Sequence, residues 1–180
     1  DESHPVISID NKTLFFSSRR PDNSSIEEGT LSDNDIYISK AKGDKWEKPE
    51  PFAFNTEWDE EPLFLTLDGN RLYIRRDGKK GGDVYFSDKN GDTWTEPRKM
   101  KAPINSPADE KAVGFSKDGN WMVISSNREG GFGGYDLYIS ENKNGKWSAP
   151  KNMGAVINTE MDEVSPFVFP SDKRIYYSTN

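Results

Sequence analysis

The 180-residue chain has no cysteine and a single histidine, His4. Disulfides are therefore excluded and the redox compartment is left open, while one His without Cys argues against a zinc site or a His-centred triad. A basic excess is also missing. Lys and Arg number 24 against 31 Asp and Glu, a net charge of −7, which argues against nucleic acid or anionic lipid as the main partner. No apolar run nears the roughly 18 residues of a membrane span. The opening DESHPV has neither a basic n-region nor an apolar h-region, so direct membrane insertion is not expected, and a signal peptide already removed is compatible with it. Ala and Leu are scarce while Phe, Trp and Tyr reach 12%, a balance that favours sheet, because rings and branched side chains fit pleated surfaces. The length suits one domain, or part of a larger one.

What the chain does have is an internal repeat. Asp-Glu recurs at Asp1-Glu2, Asp59-Glu60, Asp109-Glu110 and Asp162-Glu163, spaced 58, 50 and 53 residues apart. Nine residues after the first three of these Asp come Asp10, Asp68 and Asp118, each opening a short polar turn, where the fourth copy has Ser171-Asp172-Lys173. Apolar runs then begin at Leu14, Leu72, Met122 and Ile175. The segments DIYIS, DVYFS and DLYIS follow from Asp35, Asp83 and Asp136, each Asp lying eleven residues before a Trp (Trp46, Trp94, Trp147), and each Trp three before a Pro (Pro49, Pro97, Pro150). Asn55, Asn105 and Asn158, each followed by Thr or Ser, stand four residues before the next Asp-Glu. Periods near 50 residues signal repeat architectures.

Each unit reads as four short strands. Strand A follows Asp-Glu, strand B is the apolar run, strand C is the Asp-Ile-Tyr-Ile-Ser run, and strand D surrounds Trp-x-x-Pro. DGN-type residues between A and B, and GDK, NGD or NGK between C and D, accept the positive φ that two-residue hairpins require. B and C are apolar without strict alternation, so both faces are expected to be buried, as in small sheets stacked face to face. Pro at strand D suits an outer edge strand that can spare an amide. The units are thus expected to be four-stranded antiparallel blades of a β-propeller.

The sequence patterns DExxP, DGxxLYF, SxR, GGxGGxDIYxS and WxxP resemble TolB-like, WD-repeat-like β-propeller repeats. The variant is similar to that of periplasmic, outer-membrane-associated proteins of Bacteroidetes, including ones with an OmpA-like peptidoglycan-binding domain that are linked to type IX secretion. The resemblance implies a periplasmic or outer-membrane-associated protein, with a protein or a peptidoglycan-associated assembly as partner. Blades are expected at 1–58, 59–108 and 109–161, with strands A and B of a fourth at 162–180. Such a partial ring would have to be completed by other segments or by another chain.

In a propeller the D-to-A junctions and B-to-C loops share one face. The B-to-C loops differ in length, and binding usually resides in loops that vary on a constant scaffold. This candidate face carries Arg20, Arg76, Arg128, Phe132 and Tyr135, with the pairs Asp59-Glu60, Asp109-Glu110 and Asp162-Glu163. The acidic pairs could hold a hard cation or tune one another's pKa. A residue present in every repeat is more simply required by the repeat, to accept backbone amides at the junction. Arg20 and Arg128 occupy matching places, whereas the second repeat has Gly78 there and brings Arg75 and Arg76 earlier. They could bind carboxylates or sugars, and pairing with the neighbouring Asp-Glu is the favoured reading. The insertion RPDNSSIEEGTLSDN in the first repeat is long enough to contact a partner. The glycines of the GGFGG segment around Phe132 lack the Lys-Ser/Thr ending of a phosphate loop and are expected to let the chain turn with φ values other residues resist. Asp35, Asp83 and Asp136 are expected to cap the entry to strand C.

The rival reading is a sialidase-like glycoside hydrolase. Ser87 to Trp94, SDKNGDTW, has the spacing of an Asp-box but carries Lys89 in place of the defining Asp, and such boxes are structural turns. The preferred expectation is a non-catalytic propeller that binds a protein or glycan through its loop-bearing face, with no catalytic residue, metal or cofactor assigned.

Overall fold

A computed structural model describes residues 2–20, 33–169 and 174–180. Asp1, most of the first insertion (21–32) and residues 170–173, which include Ser171-Asp172-Lys173, lie outside the described residues. Every regular element among the described residues is a strand. The first sheet holds β1 (Glu2–Ile7), β2 (Thr13–Ser18), β3 (Asp35–Lys42), β4 (Lys45–Trp46) and β5 (Glu50–Pro51). The second holds β6 (Glu60–Leu65), β7 (Arg71–Arg76), β8 (Asp83–Asn90), β9 (Thr93–Trp94) and β10 (Arg98–Lys99). The third holds β11 (Glu110–Phe115), β12 (Trp121–Ser126), β13 (Asp136–Lys143), β14 (Lys146–Trp147) and β15 (Lys151–Asn152). A last hairpin pairs β16 (Glu163–Val168) with β17 (Ile175–Thr179). In each five-stranded sheet the A, B and C strands run side by side and both short pieces after the C strand pair back onto it.

Two local expectations are corrected. Strand D is not one strand. In the first sheet Trp46 pairs with Ala41, but Glu50 then pairs with Ile38, so one extra residue is accommodated between the two pieces. Pro49 cannot donate to the ladder, and the bulge falls where its N–H would be needed. The turns between strands A and B are four-residue loops and not two-residue ones. The Ser8 N–H donates to the Thr13 carbonyl (2.8 Å), while the Thr13 N–H is met by the Ser8 Oγ (2.9 Å). That hydroxyl donates to Asp10 (2.6 Å), whose carboxylate also accepts the Lys12 N–H (3.0 Å). Thr66 with Asp68, and Ser116 with Asp118, repeat the arrangement at 2.6 Å each. Positive φ is confined to Asn11, Gly69 and Gly119 in these loops. The C-to-D turns are two-residue hairpins as expected, with Gly43, Gly91 and the pair Asn144-Gly145 at positive φ.

These short hydrogen bonds hold the Asp10, Asp68 and Asp118 carboxyls below the usual aspartate range, the hydroxyl of Ser8, Thr66 or Ser116 being the largest cause. A depressed folded pKa stabilises the fold above the ordinary aspartate pKa, and that contribution is lost as pH falls through the depressed one. Asp68→Asn/Asp118→Asn is therefore expected to melt lower than the wild type at neutral pH and to lose less on acidification to about pH 2. Thermal melts along a pH series read this directly, and parallel curves for the two proteins would refute it.

Contacts divide the chain into two compact units, residues 1–77 with 85–98, and 78–84 with 99–180. In the first, Phe15, Ile36, Phe52, Leu65, Leu72 and Ile74 form the buried core, with Val6 and Trp94 packed against it. The Trp94 ring meets Phe15 edge-on at 5.6 Å. In the second, Val123, Leu137 and Val168 are buried together, flanked by Ile175 and Tyr177. Each such side chain contributes about 1.5–3 kcal/mol on burial. The B strands β2, β7 and β12 are buried on both faces, as their unbroken apolar runs implied. Each A strand carries a register shift, at Ser3/Val6, Pro62/Phe64, Glu110/Ala112 and Val164/Phe167.

Candidate functional site

The junction before each A strand is built by three side chains with fixed tasks. Asn55 takes the place of a neighbouring strand: its Oδ1 accepts the Ile36 N–H (3.1 Å) and its Nδ2 donates to the Ile36 carbonyl (2.9 Å). Asn105 does the same to Val84 (2.8 and 2.9 Å) and also donates to the Met100 carbonyl, and Asn158 does it to Leu137 (2.8 and 2.9 Å). Asn105→Ala would strand the Val84 N–H in the interior, the Val84 carbonyl keeping the Met100 N–H (2.9 Å), at a cost of about 1–3 kcal/mol. Urea denaturation checks this, and an unchanged midpoint would contradict the assignment.

The acidic pairs divide their work. Asp59 Oδ1 accepts the Asn34 N–H (2.7 Å), Asp109 Oδ1 the Gly82 N–H (2.6 Å) and Asp162 Oδ1 the Tyr135 N–H (3.0 Å). The following glutamate returns the contact through its backbone, Glu60 N–H to Asn34 O (2.7 Å), Glu110 N–H to Gly82 O (2.9 Å) and Glu163 N–H to Tyr135 O (2.7 Å). The chain entering one C strand is thereby tied to the start of the next A strand. B-to-C loops and D-to-A junctions do meet on one face within each unit, as the alternation of turns required.

The glutamate side chains turn inward, and Glu60, Glu110 and Glu163 are fully buried. Each is held by the Thr or Ser after the junction Asn: Thr56 Oγ1 to Glu60 (2.5 Å), Ser106 Oγ to Glu110 (2.6 Å), Thr159 Oγ1 to Glu163 (2.6 Å). Arginines complete two of them, with Arg76 Nε 2.8 Å from Glu60 and Arg128 Nη2 3.0 Å from Glu110. Arg128 also donates to the Ile104 carbonyl (2.8 Å) and lies over the Tyr138 ring, and Arg76 donates to the Phe54 carbonyl (2.6 Å) and lies over Tyr85. Arg20 pairs with Glu2 at 3.0 Å above the rings of Phe16 and Tyr37. In the last hairpin Thr179 takes the remaining place on Glu163, at 3.0 Å. Burial pushes the Glu60 and Glu110 carboxyls up from the usual glutamate value, opposed by the Thr56 and Ser106 donors and by Arg76 and Arg128. Arg76 thus fills the role of Arg20 and Arg128 although it lies two residues earlier, because it sits directly opposite Glu60 in the ladder where the other repeats have Ser18 and Ser126.

The glycine-rich loop is shaped differently from its expectation. Only Gly130 has positive φ; Gly131, Gly133 and Gly134 do not. They are small because the backbone comes close to other atoms: a Cβ at Gly133 would lie 2.0 Å from the Met161 carbonyl oxygen, and one at Gly134 2.2 Å from Asp162 Oδ1. Asp136 does more than open its strand. Its two oxygens accept the Phe132 N–H (2.7 Å) and the Gly133 N–H (3.0 Å), which folds the loop back onto β13. Asp83, with a shorter loop before it, is paired with Lys99 (2.6 Å) instead. The result is a fixed loop that presents Phe132 with 53% of its surface exposed, next to Met161 at 51%. Tyr135 is half-buried, its hydroxyl donating to Asp109 Oδ2 (2.6 Å) with Lys111 over its ring.

Among the described residues no group of three or more His, Cys, Asp or Glu is placed to hold a metal ion, and no helix is long and apolar enough to cross a membrane. The SDKNGDTW segment falls on the end of β8 and its hairpin to β9, with Ser87 Oγ donating to the Thr95 carbonyl (2.5 Å), a turn on the opposite side from the junctions.

No family model and no curated sequence matches the chain. Solved structures do. TolB from Acinetobacter baumannii superposes with a TM-score of 0.64 at 13% identity, over 99% of this chain and 40% of that one. A prolyl endopeptidase gives 0.61 at 16% identity, over 99% and 23%. The periplasmic gluconolactonase PpgL of Pseudomonas aeruginosa gives 0.53 at 11%, over 98% and 65%. The fold is therefore a β-propeller fold of the kind TolB has. The chain spans less than half the length of the first two structures, and at these identities the likeness speaks to fold alone.

Proposed function

We propose that this chain is a non-catalytic propeller scaffold that holds a protein or glycan partner on its junction face, within a bacterial envelope or secretion-associated assembly. The observation that carries the reading is Phe132. The repeat's acids and arginines on this face are engaged with one another and with backbone, so they cannot readily serve as a site, whereas Phe132 and the adjacent Met161 project from a loop that is already fixed. A preorganised exposed aromatic lowers the ordering cost of binding and suits the centre of a contact. The envelope context rests on the repeat patterns set out above, with a periplasmic protein among the structural neighbours as secondary support.

The enzyme reading keeps one specific support, that peptidases and a lactonase share the fold. Against it, Glu110 is fully buried and Arg128 is committed to it in an ion pair at 3.0 Å. Phe132→Ser/Met161→Ser is expected to release the protein from the envelope fraction of the cells that make it, whereas Ile9→Ser/Leu67→Ser on the A-to-B turns is not. The opposite pattern, or hydrolysis of a sialoside at enzyme-like rates that is lost in Arg128→Ala, would sink the proposal.

A further inference from the structure

In the first unit a cleft of about 600 Å³ opens between the first and second sheets, among their A-to-B and C-to-D turns. Each wall is a five-stranded sheet. The floor is apolar, with Phe15 and Ile38 contributed by one sheet and Leu65 and Trp94 by the other. Two further apolar side chains, Ile9 and Leu67, stand at the mouth with 64% and 40% of their surfaces exposed. They are the central residues of the polar turns Ser8-Ile9-Asp10 and Thr66-Leu67-Asp68, a place that Lys117 holds in the third repeat. A cleft of this size, apolar at its base with a few polar groups around it, suits a small ligand.

Its charges differ from those of the other repeats. The fifth residue after the strand C Asp is Asp88 in the second repeat and Glu141 in the third. Asp88 is held by Arg71 and Arg98, at 2.6 Å each, and Glu141 by Lys143 at 2.9 Å. The first repeat has Lys40 there, and Lys48 likewise stands where the second has Glu96. The Glu47 N–H donates to the Lys40 carbonyl (2.8 Å), which sets Lys48 in the segment alongside Lys40. The ammonium groups of Lys40 and Lys48, and of Lys89 on the opposite wall, have no ion-pair or hydrogen-bond partner among the described residues. Most acids of the cleft are occupied, Asp10 and Asp68 by their turns and Glu47 by Lys42 at 3.8 Å. Glu50 and Asp92 remain, two carboxylates against three unpaired ammonium groups.

We propose that this cleft binds a small amphipathic carboxylate. The apolar body lies on Phe15, Leu65 and Trp94 and leaves between Ile9 and Leu67, while the carboxylate is met by Lys40 and Lys48. A lysine is a point charge on a flexible stem, so two of them can close on one carboxylate from the same wall. The bound anion supplies to this wall the negative charge that Asp88 and Glu141 supply in the other repeats.

Octanoate and the neutral 1-octanol serve as probes, with the amide and indole resonances of the 180-residue chain followed by NMR. Octanoate is expected to move the Trp94 indole and the Lys40 and Leu65 amides together and saturably, and octanol to bind about tenfold more weakly, the equivalent of one charge-assisted hydrogen bond. Lys40→Glu/Lys48→Glu should remove that advantage and leave octanol binding unchanged, which also shows that the cleft is intact. Ile9→Ser/Leu67→Ser should weaken both probes, and Lys101→Glu/Lys146→Glu, elsewhere on the surface, neither. Octanol binding as tightly as octanoate, shifts confined to residues outside the cleft, or no saturable shift would overturn the proposal. So would a Lys40→Glu/Lys48→Glu protein that keeps the preference for octanoate, or one that loses both probes, since the lysines would then serve the fold and not a ligand. None of these outcomes bears on Phe132, which belongs to the other unit.

Discussion

Glu110→Ala is expected to cost about 3–5 kcal/mol of folding stability, the range for breaking a buried ion pair by removing one partner. Glu110 is fully buried and collects the Ser106 hydroxyl and N–H, the Ser126 hydroxyl and Arg128 at 2.6, 3.2, 3.2 and 3.0 Å. Alanine leaves those donors facing a void at the point where the third repeat begins. Arg128→Ala should cost less at acidic than at neutral pH. Burial already pushes the Glu110 carboxyl up, and without the cation it rises further. The ionised form that Arg128 had stabilised is then the costly one, and protonation relieves the cost as pH falls. Urea denaturation of both variants at neutral and mildly acidic pH tests this. Groups that serve chemistry commonly cost stability in the native protein, so their removal is neutral or stabilising; an Arg128→Ala protein as stable as wild type would point to a site where we place a scaffold.

Gly133→Ala should be nearly as damaging, at about 3 kcal/mol or more, which lies at the upper end for overpacking because the obstacles are backbone. The new Cβ would stand 2.0 Å from the Met161 carbonyl oxygen, 2.7 Å from that of Thr159 and 3.0 Å from the Glu160 carbonyl carbon. Relief requires lifting the loop, which breaks the bonds from Phe132 and Gly133 to Asp136 and from Tyr135 to Asp162. Gly145→Ala is the matched control. Its φ is +79° but nothing lies within 4 Å, so it should cost only about 1 kcal/mol of backbone strain. Equal urea midpoints for the two variants would mean that the loop is not held where it is drawn.

The architecture was legible because its tasks are residue-specific. An Asn that imitates a strand, an Asp that takes one amide and a Glu buried under a hydroxyl can hardly be replaced, so Asn105, Asp109 and Glu110 recur at fixed offsets and reveal the period. The hydroxyls were harder to read. Thr56, Ser106 and Thr159 stand beside the junction Asn, but nothing in one dimension says that they reach a glutamate four residues on. The triplets Ser8-Ile9-Asp10, Thr66-Leu67-Asp68 and Ser116-Lys117-Asp118 were a usable signal for the four-residue turns that the Gly and Asn content obscured. Arg76 escaped alignment because it stands directly opposite Glu60 in the ladder, two residues before the place that Arg20 and Arg128 occupy, and reaches the same carboxylate from there. The close approach of Gly133 to Met161 joins residues 28 apart, and no local pattern encodes it. For the same reason the exposure of Phe132 emerges only from the folded loop.

The most direct test of the account places a photoreactive side chain at position 132, and in parallel at position 144 on a C-to-D turn, in the cells that make the protein. One discrete adduct from position 132 and none from position 144 is the predicted result. A discrete adduct from position 144 with none from position 132 would contradict the assignment of function to the junction face.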